Sequence, residues 1–344
     1  MNKFHIGDHS IAPGHRATVD LPVSVLSNDT PMNLPVHVVH GAKPGPVLFL
    51  SGVVHGDEIQ GVEIIRRVLR HGALDVIAGT LLAIPIVNAF GFLNHSRYMP
   101  DRRDLNRSFP GSDKGSLASL LADLFMREVV LRSQYGIDLH TAALHRSNLP
   151  QIRISPGEPE LLDLALTFGP PVVLVSKLRD GTLRQCARDA RVKMLLYEGG
   201  EALRFDEVAI RAGTLGILRV MKSLGMIGAP AISRGKVPPA LSHASIWLRA
   251  VEGGILRTRC SIGDRVTKGE TVAEISDPLG ERPVGIICEG DGIVIGRTNL
   301  PVVNRGDALY HVALMKDPGT SRARVAHIEG ELAQAPLFDE DEII

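Results

Sequence analysis

Cysteine is scarce in the sequence, and the three that occur do not cluster: Cys186, Cys260 and Cys288 lie far apart and form no CxxC pair. Neither a disulfide framework nor a thiolate zinc site organises such a chain. Its thiols are expected to be buried and inert. Excess charge is lacking too, since 38 Lys and Arg balance 38 Asp and Glu. Without a net field there is no general attraction for nucleic acid or an anionic membrane, and a small molecule is the expected partner. The opening segment MNKFHIGDHSIAPGHRATVD has no apolar core and no small-residue cleavage site. No later apolar run approaches the roughly 18 residues needed to span a bilayer, so the cytoplasm is the expected compartment.

What is present suffices for a well-packed globular protein. The 344 residues are 44% hydrophobic and 22% charged, enough for one large domain or two ordinary ones. PGPVLFLSGVV is a nearly continuous apolar run opened by Pro and Gly, which predicts a strand buried on both faces over 45–54. A helix is expected directly afterwards, from Glu58 through EIQGVEIIRRVLRHG, closed by Gly72. The alternation continues with strand-like GTLLAIPIVN, helix-like SLASLLADLFMREVVLRS, strand-like YGIDLH and helix-like EPELLDLALTFG. Strand-like PPVVLVS and VKMLLYE and the helical RFDEVAIRAGTLGILRVMKSLG follow. Alternating elements of this kind predict an α/β domain with helices on both faces of a largely parallel sheet.

The Pro, Gly and Ser-bearing stretch over 228–244 ends that pattern and sets a domain boundary. The expected division is 1–240 for an α/β domain, 245–316 for a smaller all-β domain, and 317–344 for a tail. Within the second part, GGILRTRCSIGDRVTKGETVAEIS and DGIVIGRTNLPVVNRGDALYHV share a Gly-Ile start, a Gly-Asp turn and an apolar finish, the mark of two related halves. The repeat resembles the flattened barrel of biotinyl and lipoyl carrier domains, but the linking segment SDPLGERPVGIICEG has no lysine to modify. Lys268 lies in a turn of the first half and is read as an exposed turn residue, so the domain is expected to be structural.

Chemistry concentrates at strand ends. His55 and Glu58, in HGDE, leave the carboxyl end of the first buried strand together, where sites form in open α/β sheets. Imidazole nitrogen and carboxylate oxygen suit Zn2+, whose catalytic sites use three protein ligands and leave a position for water. Among 13 histidines, His140 closes YGIDLH in the same strand-to-loop setting and is the expected third ligand, with Asp138 a candidate to orient an imidazole. A carboxylate base is sought at Glu198, which ends VKMLLYE before Gly-Gly, with Glu201 the competing choice. Oxyanion stabilisation calls for a cation from the run Arg97, Arg102, Arg103, Arg107. The other reading of that run is a solvated patch paired with Asp101 and Asp104.

Strand-HGDE, DLNRSFPG over 104–111, DLHT over 138–141 and YEGGE over 197–201 occur in an order that resembles the succinylglutamate desuccinylase and aspartoacylase family of zinc-carboxypeptidase-like deacylases. The resemblance implies a carboxypeptidase-like mixed sheet and one Zn2+ per chain on His55, Glu58 and His140. It further implies Glu198 as the residue that activates water, and Asn106 and Arg107 as the pair that holds a substrate carboxylate. By the same resemblance Arg97 or Arg103, with Arg97 preferred, faces the oxyanion, and Arg184 is a further substrate-side cation, its alternative being a surface helix charge. The expected activity is hydrolysis of an N-acyl amino acid or similar carboxylate-bearing amide. A carboxypeptidase acting on short peptides and a non-catalytic binding or assembly protein are the alternatives. Self-association into a homo-oligomer is expected, because an appended β domain brings exposed edges. The resemblance also implies that this domain narrows the active-site mouth.

Overall fold

A computed structural model describes residues 2–228, 238–315 and 330. The expected boundary stretch falls largely outside the described residues, as does nearly all of the 317–344 tail. Two short strands, β1 (Phe4–Ile6) and β2 (His9–Ile11), form a ribbon. There follow β3 (His15–Val25), β4 (Pro31–His40), β5 (Lys43–Gly52), α1 (Gln60–Arg70), β6 (Ala78–Ile84) and α2 (Ala89–Leu93). Next come α3 (Leu117–Glu128), β7 (Tyr135–Ala142), β8 (Arg146–Ile154), α4 (Pro159–Phe168), β9 (Val172–Val175), α5 (Leu183–Asp189), β10 (Lys193–Glu201) and α6 (Glu207–Ser223). The C-terminal part is all strand: β11 (Ala240–Ser242), β12 (Ser245–Arg249), β13 (Gly254–Thr258), β14 (Arg265–Val266) and β15 (Thr271–Ser276). It ends with β16 (Val284–Ile287), β17 (Gly292–Thr298), β18 (Val302–Val303) and β19 (Ala308–Leu314).

The main sheet is mixed and has 13 strands, running β12-β19-β17-β8-β10-β7-β5-β6-β4-β3 along its principal path. Its centre is parallel, with β7 between β5 and β10. Alternate residues of these strands enter different cores. Phe49 packs with Phe125 and Leu183 on one face, while Leu48 and Leu50 pack with Ile64, Ile137 and Ile217 on the other. That is why β5 reads as a continuous apolar run rather than an alternating one. Helices α3 and α5 cover the first face and α1, α4 and α6 the second, as the α/β reading requires.

Strand β8 forks the sheet. Its first residues pair antiparallel with β17, its last pair parallel with β9, and β10 runs along its other edge. The C-terminal strands are therefore hydrogen-bonded into the main sheet, and β13, β15, β16 and β18 form a second sheet that closes a separate core around Leu256, Val272 and Val294. Lys268 is exposed, as its place in a turn predicts. All three cysteines are buried, and burial pushes the Cys260 thiol up to about 11. No helix among the described residues is long and apolar enough to cross a membrane.

Several boundaries differ from the sequence expectation for physical reasons. Helix α1 begins at Gln60, not Glu58, because the backbone before it is turned, the Glu58 and Ile59 amides donating to the His55 and Asp57 carbonyls at 3.1 Å each, and the helix ends at Arg70 with His71 as its cap in place of Gly72. Strand β10 does not stop at a flexible Gly-Gly. It continues to Glu201 through a bulge, and Gly199 and Gly200 are there for close approach: the Gln60 amide donates to the Gly199 carbonyl at 3.0 Å, and a Cβ on Gly200, whose φ is 72°, would fall 2.8 Å from Gln60 Oε1.

Candidate metal centre

The chain leaves β5 through a strained residue. Val53 is fully buried and β-branched yet has φ 56°, a conformation costing about 1–3 kcal/mol that surrounding contacts must enforce. The amides of Val87 and Asn88 do so by donating to the carbonyls of Gly52 and Val53 at 3.1 and 2.9 Å. The kink sends Val54 into the core and His55 toward the carboxyl ends of β7 and β10. Gly56 then passes so close to α2 that any Cβ would collide with the Gly91 backbone. Gly56→Ala is accordingly expected to displace His55 and Glu58 at a cost of about 1–3 kcal/mol. The check is a lower thermal midpoint together with weaker metal retention; a variant as stable as wild type and retaining metal equally would refute the account.

His55, Glu58 and His140 come together, all buried, with their ligand atoms within 4.8 Å of one another. Each imidazole turns Nδ1 toward Glu58: His55 Nδ1 is 2.7 Å from Oε1 and His140 Nδ1 is 2.7 Å from Oε2. Each is held from behind by a carboxylate at Nε2, Asp104 at 3.2 Å for His55 and Asp138 at 2.7 Å for His140. Asp138 is itself fixed by the Ser51 hydroxyl, which donates to it at 2.7 Å. A carboxylate behind a ligating imidazole is the arrangement that sets its tautomer and raises its basicity.

Electrostatics agree with a cation site. Burial works to lower the His140 pKa, but Asp138 and Glu58 outweigh it and raise it well above the ordinary value; for His55, Glu58 and Asp104 likewise overcome burial. Burial acts the other way on Glu58, yet His55 and His140 hold its carboxyl well below the usual carboxylate range. Glu58, Asp104 and Asp138 thus surround two imidazoles, with Arg97 as the cation paired to Glu58 at 3.1 Å and Asp104 at 3.0 Å. Two imidazole nitrogens and a carboxylate oxygen, with Asp104 and Asp138 behind the rings, fit a divalent metal.

The cluster forms one wall of a cavity of about 510 Å³. Glu198 lines it and sits opposite His140 in the parallel pairing of β10 with β7. It accepts from Asn148 Nδ2 at 2.7 Å and lies 3.6 Å from Arg153. Glu201 does not line the cavity; it accepts from the His145 amide at 2.9 Å and Asn299 at 3.0 Å. Arg97 lines it, while Arg103 is exposed and pairs with Asp101 at the surface. Asn106 and Arg107, on the short turn Leu105–Arg107, also line it, and Asn106 Oδ1 accepts from the Leu183 amide at 2.9 Å. Arg184 projects into the cavity, donating to Ser176 Oγ and the Lys177 carbonyl at 2.9 Å each. Asp104, which charge alone would place in a surface patch, instead braces His55 and Arg97.

Sequence reasoning missed the far wall: Asn148 and Arg153 on β8, Trp247 on β12, Arg297 on β17 and His311 on β19. Nothing local marks them, because the fork at β8 brings them together from strands distant in sequence.

The fold is of the carboxypeptidase-like α/β class. Within that class the chain belongs to the succinylglutamate desuccinylase/aspartoacylase family, whose catalytic-domain model matches residues 44–224. It is 26% identical over 294 residues to the N-alpha-acetyl-L-2,4-diaminobutyric acid deacetylase of Halomonas elongata, covering 81% of this chain and 85% of that one. A succinylglutamate desuccinylase/aspartoacylase structure from Rhodobacter sphaeroides superposes with a TM-score of 0.75 at 27% identity, covering 86% of this chain and 95% of that chain. The product-bound ectoine utilization protein EutE of Ruegeria pomeroyi shares the fold with a TM-score of 0.77 at 20% identity, covering 88% and 95% respectively.

Proposed function

We propose that the chain is a zinc-dependent deacylase that hydrolyses the linear amide of a small N-acyl amino acid, yielding a carboxylate and a free amine. The observation that carries this reading is the convergence of two imidazole Nδ1 atoms on one buried carboxylate, each at 2.7 Å, in the wall of a cavity that also holds Glu198. His55, Glu58 and His140 would hold the metal, with Asp104 and Asp138 orienting the imidazoles. Bound there, zinc supplies Lewis-acid polarisation of the scissile carbonyl and a water whose pKa is lowered to about 7.

The remaining steps belong to the chain's own side chains. Glu198 takes the proton of the attacking water and returns it to the leaving nitrogen. Arg97, beside the ligand set, faces the negative charge that develops on the carbonyl oxygen. Asn106 keeps its Nδ2 donors for the substrate because its Oδ1 is engaged by Leu183, and Arg107 offers a planar fork to the amino-acid carboxylate. Arg184 adds a further cation. In this reading 1–240 supplies the chemistry and 245–316 adds Trp247, Arg297 and His311 to the far wall of the cavity, which limits substrates to small molecules. Family membership and the activity named for the Halomonas elongata relative support the reaction class.

Elemental analysis of the purified protein, paired with hydrolysis of a panel of N-acyl amino acids, tests the reading. The expected result is about one zinc per chain, with turnover lost to a chelator and restored by zinc. Release of C-terminal residues from short peptides in place of deacylation would make it a carboxypeptidase. Absence of metal binding and of turnover after zinc is supplied would overturn the proposal.

A further inference from the structure

An incomplete ion pair stands in the cavity wall. Arg153 Nε is buried with no hydrogen-bond partner among the described residues, although a carboxylate is at hand: Glu198 Oε1 lies 3.6 Å from Arg153 Nη1. An arginine and a carboxylate that meet freely close to two parallel hydrogen bonds of about 2.8 Å. Closure would give the orphaned Nε a partner, and leaving a buried donor unpaired costs about 1–3 kcal/mol. Strands β8 and β10, which carry the two residues, are hydrogen-bonded neighbours, so distance along the sheet does not keep the pair open. Something else holds Glu198 back.

Asn148 supplies the restraint. Its Nδ2 donates at 2.7 Å to Glu198 Oε2, the carboxylate oxygen that Arg153 does not approach. Asn148 stands opposite a glycine on each neighbouring strand, Gly200 of β10 and Gly296 of β17. Its amide lies over Gly296, where a Cβ would fall 2.7 Å from Asn148 Oδ1. The next atoms such a Cβ would meet are the Ser147 carbonyl oxygen at 3.4 Å and His311 Cβ at 3.5 Å, both ordinary contacts. Gly296 is also outside the left-handed region, so its backbone does not require glycine. What the position requires is room for the Asn148 side chain. Strand β17 belongs to the C-terminal part, so the room is made by residues distant in sequence from the base they affect.

We propose that Asn148 is a positioning residue that holds Glu198 off Arg153, and that Gly296 provides the space in which it does so. This rests on the deacylase reading and deepens it. A carboxylate closed onto a guanidinium through both oxygens has its lone pairs committed and is turned from the reacting atoms, so it is a poor proton acceptor. Held by one neutral amide, Glu198 keeps an oxygen free for the water proton. The C-terminal strands thereby enter the reaction through the orientation of its base as well as through the cavity wall.

Gly296→Ala is the decisive variant, assayed with the best substrate of the N-acyl amino acid panel. The one atom it crowds is the end of the Asn148 side chain, so thermal midpoint and metal content should match wild type. Its kcat should nevertheless fall about 10-fold, with KM within about 2-fold. Asn148→Ala should lower kcat by about 10- to 100-fold, and Asn148→Asp, which keeps the shape but replaces the donor with an oxygen, by at least as much. A loss transmitted through one chain of contacts is counted once: Gly296→Ala should add nothing to Asn148→Ala, and neither should add to Glu198→Gln, whereas a packing defect would multiply through all of them. A crystal structure of Gly296→Ala reads the geometry without turnover, and should show Asn148 displaced and the Glu198 carboxylate within about 3 Å of Arg153. That closure, found in a protein whose wild type hydrolyses no amide, would uphold the restraint and sink the deacylase reading. Wild-type kcat in Gly296→Ala and in either Asn148 variant, losses that multiply in the double variants, or Glu198 unmoved in the crystal would overturn the proposal.

Discussion

Glu58→Gln is expected to strip the protein of stoichiometric metal and to lower kcat/KM by at least about 1000-fold, roughly 4 kcal/mol of transition-state stabilisation. Both oxygens of Glu58 are in use: Oε1 meets His55 and Arg97, and Oε2 meets His140 and the Thr141 amide at 3.1 Å. A carboxamide of the same size keeps the packing but presents an NH2 group to one of those partners and removes the charge that two imidazoles and an arginine surround. Asp138→Asn makes the instructive comparison. Asp138 touches His140 from behind and does not belong to the proposed ligand set, so its loss should cost about 10–100-fold in metal affinity, with activity regained at higher zinc. Metal content, kcat/KM across a zinc titration and the thermal midpoint separate the two. Full metal occupancy in folded Glu58→Gln would remove Glu58 from the ligand set.

How much of this was legible beforehand depended on how local each signal was. The buried strands β5, β7 and β10 announce themselves by apolar runs that no surface segment sustains, and β5 and β7 place His55 and His140 at their carboxyl ends, where the structure brings both onto Glu58. Arg97 and Arg103 could not be separated by spacing, because the difference is one of burial: Arg97 is drawn in by Glu58 and Asp104, whereas Arg103 has only Asp101 at the surface. Asp104 sits in a run of charges that looks solvated, and only the fold shows that it caps the Leu105–Arg107 turn while gripping His55.

Other features had weak local signals. Strands β3 and β4 alternate polar and apolar residues at a sheet edge, and β8 opens with Arg-Ser-Asn, so neither stood out beside the continuous runs. The repeat in the C-terminal part conveyed strand content but not docking. Joining β17 to β8 is a non-local pairing, and it is that pairing which gives the cavity Arg297 and His311.

Glu198→Gln should lower kcat by about 100- to 10,000-fold, the span attributed to a positioned general base, while metal content stays at the wild-type level and KM changes little. The argument rests on position. Glu198 lies beside His140 in the sheet but is outside the cluster of three, and the Asn148 amide donating to Oε2 at 2.7 Å fixes its rotamer while leaving Oε1 toward Arg153 at a looser 3.6 Å. A glutamine accepts the same Asn148 bond, so the geometry survives and the loss is confined to proton transfer. Glu201→Gln is the matched control: its carboxylate holds the His145 amide and Asn299 away from the cavity, so activity should stay within a few-fold of wild type. A collapse of kcat in the Glu201 variant with retention in the Glu198 variant would exchange their roles. Loss of metal in Glu198→Gln would instead make Glu198 part of the metal site, and the proton would need another carrier.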